Sequence, residues 1–185
     1  MLVALCTENR KALRETVEQS EKLYAEANTR KYNIMSTIRK LQDQRVETAH
    51  FYVQVVDYLT EVTKALLHCT KPAYEHIDNN HRGLTEEQIM DLKVVNDEVE
   101  NIFNHVNSML ASHDFSHLDK IMEMRDALFG IIAERIKSQI RRIKTGDAST
   151  RGSALYFNLM SETKTMILQS RNVLKSQAYF LDNIQ

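Results

Sequence analysis

The chain has 185 residues, 43% of them hydrophobic, a size that buries one continuous core and makes a single domain over residues 1–185 the expectation. Its 24 basic residues balance 25 acidic ones, which removes bulk charge as a reason to bind nucleic acid or an anionic membrane. Four glycines and one proline leave few places to turn, so β architectures are disfavoured and long uninterrupted helices are expected.

The opening run Met1 to Cys6 is apolar but far shorter than the ~20 residues a bilayer span needs. No basic flank precedes it, so it reads as neither a membrane span nor a signal peptide, although it can be the stub of something longer. Residues 1–44 carry the faintest pattern. Leu13, Val17, Leu23, Tyr24, Ala27, Ile34, Met35, Ile38 and Leu41 are helically spaced but sparse among charges, which predicts one long helix or two broken near Asn28. Tyr52, Val55, Val56, Leu59, Val62 and Leu66 predict a helix from about Arg45 to Pro72, where the missing backbone donor should kink or stop it. Tyr74 to Asn80 can form a further helical stretch.

Thr85-Glu86-Glu87-Gln88 has the spacing of a capping box and should open the next helix. Its stripe, Leu92, Val95, Val99, Ile102, Val106 and Met109, ends near Ser112 to Ser116. Ser116 is the expected cap of a third stripe, Ile121, Met124, Leu128, Ile132, Ile136, Ile140 and Ile143, which closes at Gly146. From Ser149 or Thr150 a last helix carries Leu155, Leu159, Met166, Ile167, Val173, Leu174 and Phe180. Short loops near Gly83, Asp114 and Gly146 predict an all-α fold, an antiparallel up-and-down bundle of long helices. Cys6 and Cys69 are too few for a disulfide framework and fit a reducing, cytoplasmic compartment.

Convergent polar side chains are densest between Asp57 and His81. Asp57 and Glu61 stand four apart on one helix face, a spacing that suits a shared divalent cation or a basic partner and equally describes a solvated face. Glu75-His-Ile-Asp-Asn-Asn-His81 adds His76, Asn80 and His81 as ligand types, while its asparagines also make an ordinary helix stop. Glu47-Thr-Ala-His50 has the Glu-x-x-His spacing of di-iron bundles but no second copy, and His113-Asp114 with His117 falls where a turn alone explains Asp114. No nucleophile elbow, Gly-rich phosphate loop or Cys-x-x-Cys pair is found, which argues against an enzyme.

Arg135, Lys137, Arg141, Arg142 and Lys144 gather before Gly146, and Arg151 follows it. Lys137, Arg141 and Lys144 share a face opposite the isoleucine stripe and are free to meet anionic lipid headgroups or an acidic partner, or merely to complement a helix C-terminus. Nucleic acid is not an expected partner, because aromatic residues do not interleave with the cations.

Particular strings then carry a resemblance. Phe51-Tyr-Val-Gln-Val-Val-Asp-Tyr-Leu59, Lys71-Pro72, Glu75 to His81, Gln139-Ile-Arg-Arg-Ile-Lys144, Thr150-Arg-Gly-Ser153, Leu155-Tyr156 and Ser161-Glu-Thr-Lys164 are together similar to the PhoU-like cytoplasmic domain of bacterial sodium/phosphate cotransporters, over roughly Arg45 to the C-terminus. The resemblance implies a PhoU-like bundle that regulates phosphate uptake at the cytoplasmic face of the inner membrane. Its partner would be the transporter's membrane domain, in cis or in trans, or a second copy of the chain. It also implies that Asp57 and Glu61 stand at one metal-binding position of that family and Glu162 at a second, where Met166 replaces the partner acid. The alternative, a metal-dependent phosphohydrolase or metal-storage bundle, uses Asp57, Glu61, His76, His81 and Glu162.

Overall fold

The computed structural model describes residues 1–41 and 46–184, and every regular element among them is helical. In chain order these are α1 (Leu2–Cys6), α2 (Arg10–Tyr32), α3 (Ile34–Lys40), α4 (Val46–Asp78), α5 (Glu86–Ser112), α6 (Leu118–Thr145) and α7 (Thr150–Ile184). The predicted start at Arg45 lies outside the described residues. No helix among them is long and apolar enough to cross a membrane.

Local chemistry sets most boundaries. At the start of α5, Thr85 Oγ1 accepts from the Gln88 amide at 3.3 Å and Gln88 Oε1 accepts from the Thr85 amide at 3.0 Å, which is the capping box the sequence announces. Gly146 ends α6 at φ +83°, a left-handed conformation in which a side chain would be strained. Ser149 Oγ accepts from the Gly152 amide at 3.0 Å and opens α7. Three boundaries differ from expectation. Asp114 Oδ1 takes the Ser116 amide at 2.9 Å in a two-residue turn, so α6 begins after His117 instead of Ser116. The early helix breaks at Asn33, not Asn28, where the Asn33 side-chain amide joins its own backbone amide on the Thr29 carbonyl, at 2.9 Å, and caps the end of α2. Finally, α4 runs through Pro72 to Asp78, because neighbouring helices hold it on both sides of the proline.

α4 and α7, the two longest helices, pack antiparallel along their length. Phe51 stacks on Phe180 at 4.3 Å at one end, and Arg151 meets His81 at the other. α2 lies on α4, while α5 and α6 pack on α7. Consecutive helices are therefore not always neighbours: α4 pairs with α7 in preference to α5, and the short α1 packs against both α4 and α5 with Ala4 and Leu5 buried. One core joins Leu13 of α2, Cys69, Ala73 and Ile77 of α4, Ile102 and Val106 of α5, Ile121, Leu128 and Ile132 of α6, and Tyr156, Met160, Ile167 and Leu174 of α7. Both cysteines are free, and burial pushes the Cys69 thiol up to about 12, with Glu162 adding to the shift.

Candidate functional site

The antiparallel pairing brings four helix ends together: the C-termini of α4 and α6 and the N-termini of α5 and α7. Two polar groups of residues meet there.

The first centres on Asp91 of α5, whose side chain is only 8% exposed. Its Oδ2 accepts from Arg142 Nη2 at 2.7 Å and from the Tyr156 hydroxyl at 3.0 Å, and its Oδ1 lies 3.2 Å from Arg135 Nη1. Arg142 Nε donates to Gln139 Oε1 at 2.8 Å, and Gln139 Nε2 donates to Ser153 Oγ at 2.9 Å. A buried carboxylate is tolerable only with such partners, since an unpaired one would carry a large desolvation penalty. Burial, then the Asp91 charge, raises the Tyr156 phenol far above its usual range, so it stays protonated and donates. The network locks α5, α6 and α7 at fixed register.

The second lies between the end of α4 and the first two turns of α7. It is an open cleft of about 390 Å³ lined by residues that include Glu75, His76, Asn79, His81, Arg151 and Asn158. His76 is buried and its Nε2–H donates to the Arg82 carbonyl at 2.8 Å, which fixes the ring's tautomer. The ring meets His81 edge to face, centroids 5.3 Å apart. Arg151 Nη1 reaches the His81 ring, 3.1 Å from Nδ1. Burial, then the positive charge of Arg151, lowers the His81 pKa below the ordinary imidazole value, so this ring is neutral at pH 7. Asn158 Oδ1 is buried without a hydrogen-bond partner.

The residues expected to bind a metal are not gathered. Asp57 Oδ1 pairs with Lys31 Nζ of α2 at 3.0 Å, Glu61 lies 3.7 Å from Lys64 on its own helix, and Glu162 lies 3.6 Å from His68 Nδ1. Asp57 precedes His68 by eleven residues of α4, roughly 16 Å along the axis, so Asp57 and Glu162 serve different parts of the bundle. Among the described residues no three His, Cys, Asp or Glu side chains are grouped to hold a metal ion. Asn80 ends α4 at φ 54° and its Oδ1 accepts from Arg10 Nη2 at 2.9 Å, the helix stop that was its other reading. Only His76 and His81 of that set come together.

The basic residues also divide. Arg135 and Arg142 turn inward to Asp91, Lys137 pairs with Glu134 at 2.7 Å, and Arg151 lies in the cleft, while Arg141 and Lys144 are exposed. The isoleucine stripe fails in its last turns, because Ile140 and Ile143 are 43% and 42% exposed while Gln139 is buried. The inner line there is Ile132, Arg135, Gln139, Arg142, spaced as helically as the apolar one. Asp91, Gln139 and Tyr156 were missed as site residues. Asp91 could have been found as an acid standing on the buried face between Gln88 and Val95. No family model matches the chain, and no curated protein or solved structure matches it.

Proposed function

We propose that the chain is a non-enzymatic regulatory module of a sodium-dependent phosphate transporter, acting by docking of the helix bundle against the transporter's membrane domain at the cytoplasmic face of the membrane. The observation that carries the reading is where the resembling strings fall in space. Four of the resembling strings, Glu75 to His81, Gln139 to Lys144, Thr150 to Ser153 and Leu155-Tyr156, lie far apart in the sequence yet build one end of the bundle, whereas Phe51 to Leu59 starts at the other end and Ser161 to Lys164 lies further along α7. Residues distant in the sequence that meet at one end of a bundle supply a single continuous surface for docking. That end combines a rigid frame, the Asp91 network, with exposed cations at Arg141 and Lys144. Regulation through such a surface is a coupling between docking and transport.

Proteoliposomes holding the membrane domain of a bacterial sodium/phosphate cotransporter test the proposal. Adding the chain to the cytoplasmic side should change the apparent phosphate affinity of sodium-driven uptake by roughly fivefold or more, the usual scale of a coupling free energy. Uptake that is unchanged at saturating chain concentration would overturn it.

A further inference from the structure

Among the cations of the polar end, Arg151 is the one that lines the cleft, whereas Arg141 and Lys144 face outward on α6. Arg135 and Arg142 are matched by Asp91, and Lys137 by Glu134. Among the described residues Arg151 has no carboxylate partner, and its only hydrogen-bonding neighbour is the ring of His81, which is itself uncharged at pH 7. A guanidinium held over a neutral imidazole keeps its remaining donors and its full charge for something else. His76, anchored to the Arg82 carbonyl and packed edge-on against His81, holds that ring in place.

The same wall of the cleft, further along α7, supplies a complementary defect. Asn158 follows Arg151 by seven residues, two turns along α7 on the same face, and its Oδ1 is a buried acceptor that no protein donor reaches. An acceptor left unpaired in this way costs free energy that a ligand donor would recover. The ligand that answers both side chains has anionic oxygens for Arg151 and a hydroxyl for Asn158. A phosphate or phosphate monoester that keeps one proton near pH 7 has both, whereas sulfate has only the first. At about 390 Å³ the cleft admits such a group together with a small substituent. Glu75, at the rim, disfavours a fully deprotonated oxyanion and so adds to the preference for a protonated one.

We propose that this cleft binds a protonated phosphate-type oxyanion, with Arg151 meeting its charge, His81 orienting Arg151, and Asn158 Oδ1 accepting its proton. The proposal stands on the cleft's own geometry and is tested on the isolated chain, so it fails or holds independently of docking to a transporter. Two sources offer this chemistry, free phosphate and the monoester headgroup of phosphatidic acid.

Calorimetric titration of the full chain with inorganic phosphate at pH 7, and with sulfate, tests the first source. Sedimentation with phosphatidic acid vesicles, against phosphatidylcholine vesicles, tests the second. Saturable one-to-one phosphate binding, stronger than sulfate binding and weakened roughly tenfold or more in Arg151→Gln and in Asn158→Leu, is the expected result. Lys71→Gln removes an exposed neighbouring charge outside the cleft and should leave binding unchanged. Vesicle binding lost in Arg151→Gln, with no response to free phosphate, assigns the site to a headgroup and also supports it. Absence of both, or equal losses in Arg151→Gln and Lys71→Gln, would overturn the proposal. Arg151 is exposed, so its variant should keep the fold, and an unchanged thermal midpoint checks this.

Discussion

Asp91→Ala should lower the free energy of unfolding by about 3 to 5 kcal/mol, the range for removing one partner of a buried ion pair. Equilibrium denaturation in urea measures it. The loss is large because three donors depend on one carboxylate. Arg142, whose side chain is mostly buried, would keep its charge with no counter-ion, and the Tyr156 hydroxyl would lose its acceptor in a fully buried site. A substantial part of a typical total stability of roughly 5 to 15 kcal/mol is at stake. Asp91→Ala combined with Arg142→Met should be less destabilised than the sum of the two single changes, since the stranded guanidinium is then absent. A loss in Asp91→Ala below about 1 kcal/mol, the scale of an exposed pair, would mean that the three helices are not locked through this residue.

Leu13→Ala should cost about 2 to 5 kcal/mol by the same measurement, the usual range for truncating a core leucine. Leu13 is 0% exposed and belongs to the core that includes Cys69, Ala73 and Ile77 of α4, so its loss opens a cavity under α2. Leu23, on the same helix, is 46% exposed, and Leu23→Ala should change stability by no more than about 0.5 kcal/mol. Equal small effects at the two positions would mean that α2 is only loosely laid on the bundle.

These two leucines mark the boundary of what the sequence discloses. Both sit at helical spacing among charges, and nothing local separates the anchor from the surface residue. By contrast, the capping box at Thr85 and the left-handed stop at Gly146 are legible because their determinants lie within one turn of chain. The break at Asn33 carries a side-chain cap on the Thr29 carbonyl, and Asn28 offers the same side chain five residues earlier, so residue type alone does not choose between them. Pro72 illustrates the opposite case, in which tertiary packing carries a helix through a residue that locally opposes it.

The candidate site was half visible. His76, His81 and Arg151 are recognisable in the sequence as residue types, and the bundle does bring them to one cleft. What spacing could not reveal is which face of α6 turns inward. Ile140 and Ile143 continue the more hydrophobic line past Ile136, which still packs on the core, but the line through Gln139 and Arg142 is the one the Asp91 network satisfies, so the last turns of α6 turn these polar residues inward and the two isoleucines out. Asp57 and Glu162 stand apart for a related reason. Each acid found a cation or imidazole on its own level of the bundle, Lys31 for one and His68 for the other.

Hydrogen exchange read by mass spectrometry, on the chain alone and with the membrane domain of a bacterial sodium/phosphate cotransporter in nanodiscs, tests the proposed docking surface directly. Slowed exchange should concentrate in peptides covering His76 to Asp91 and Gln139 to Tyr156, where the four helix ends meet. Protection confined to the other end, Val46 to Gln54 with Ser176 to Phe180, or no protection at all, would contradict it.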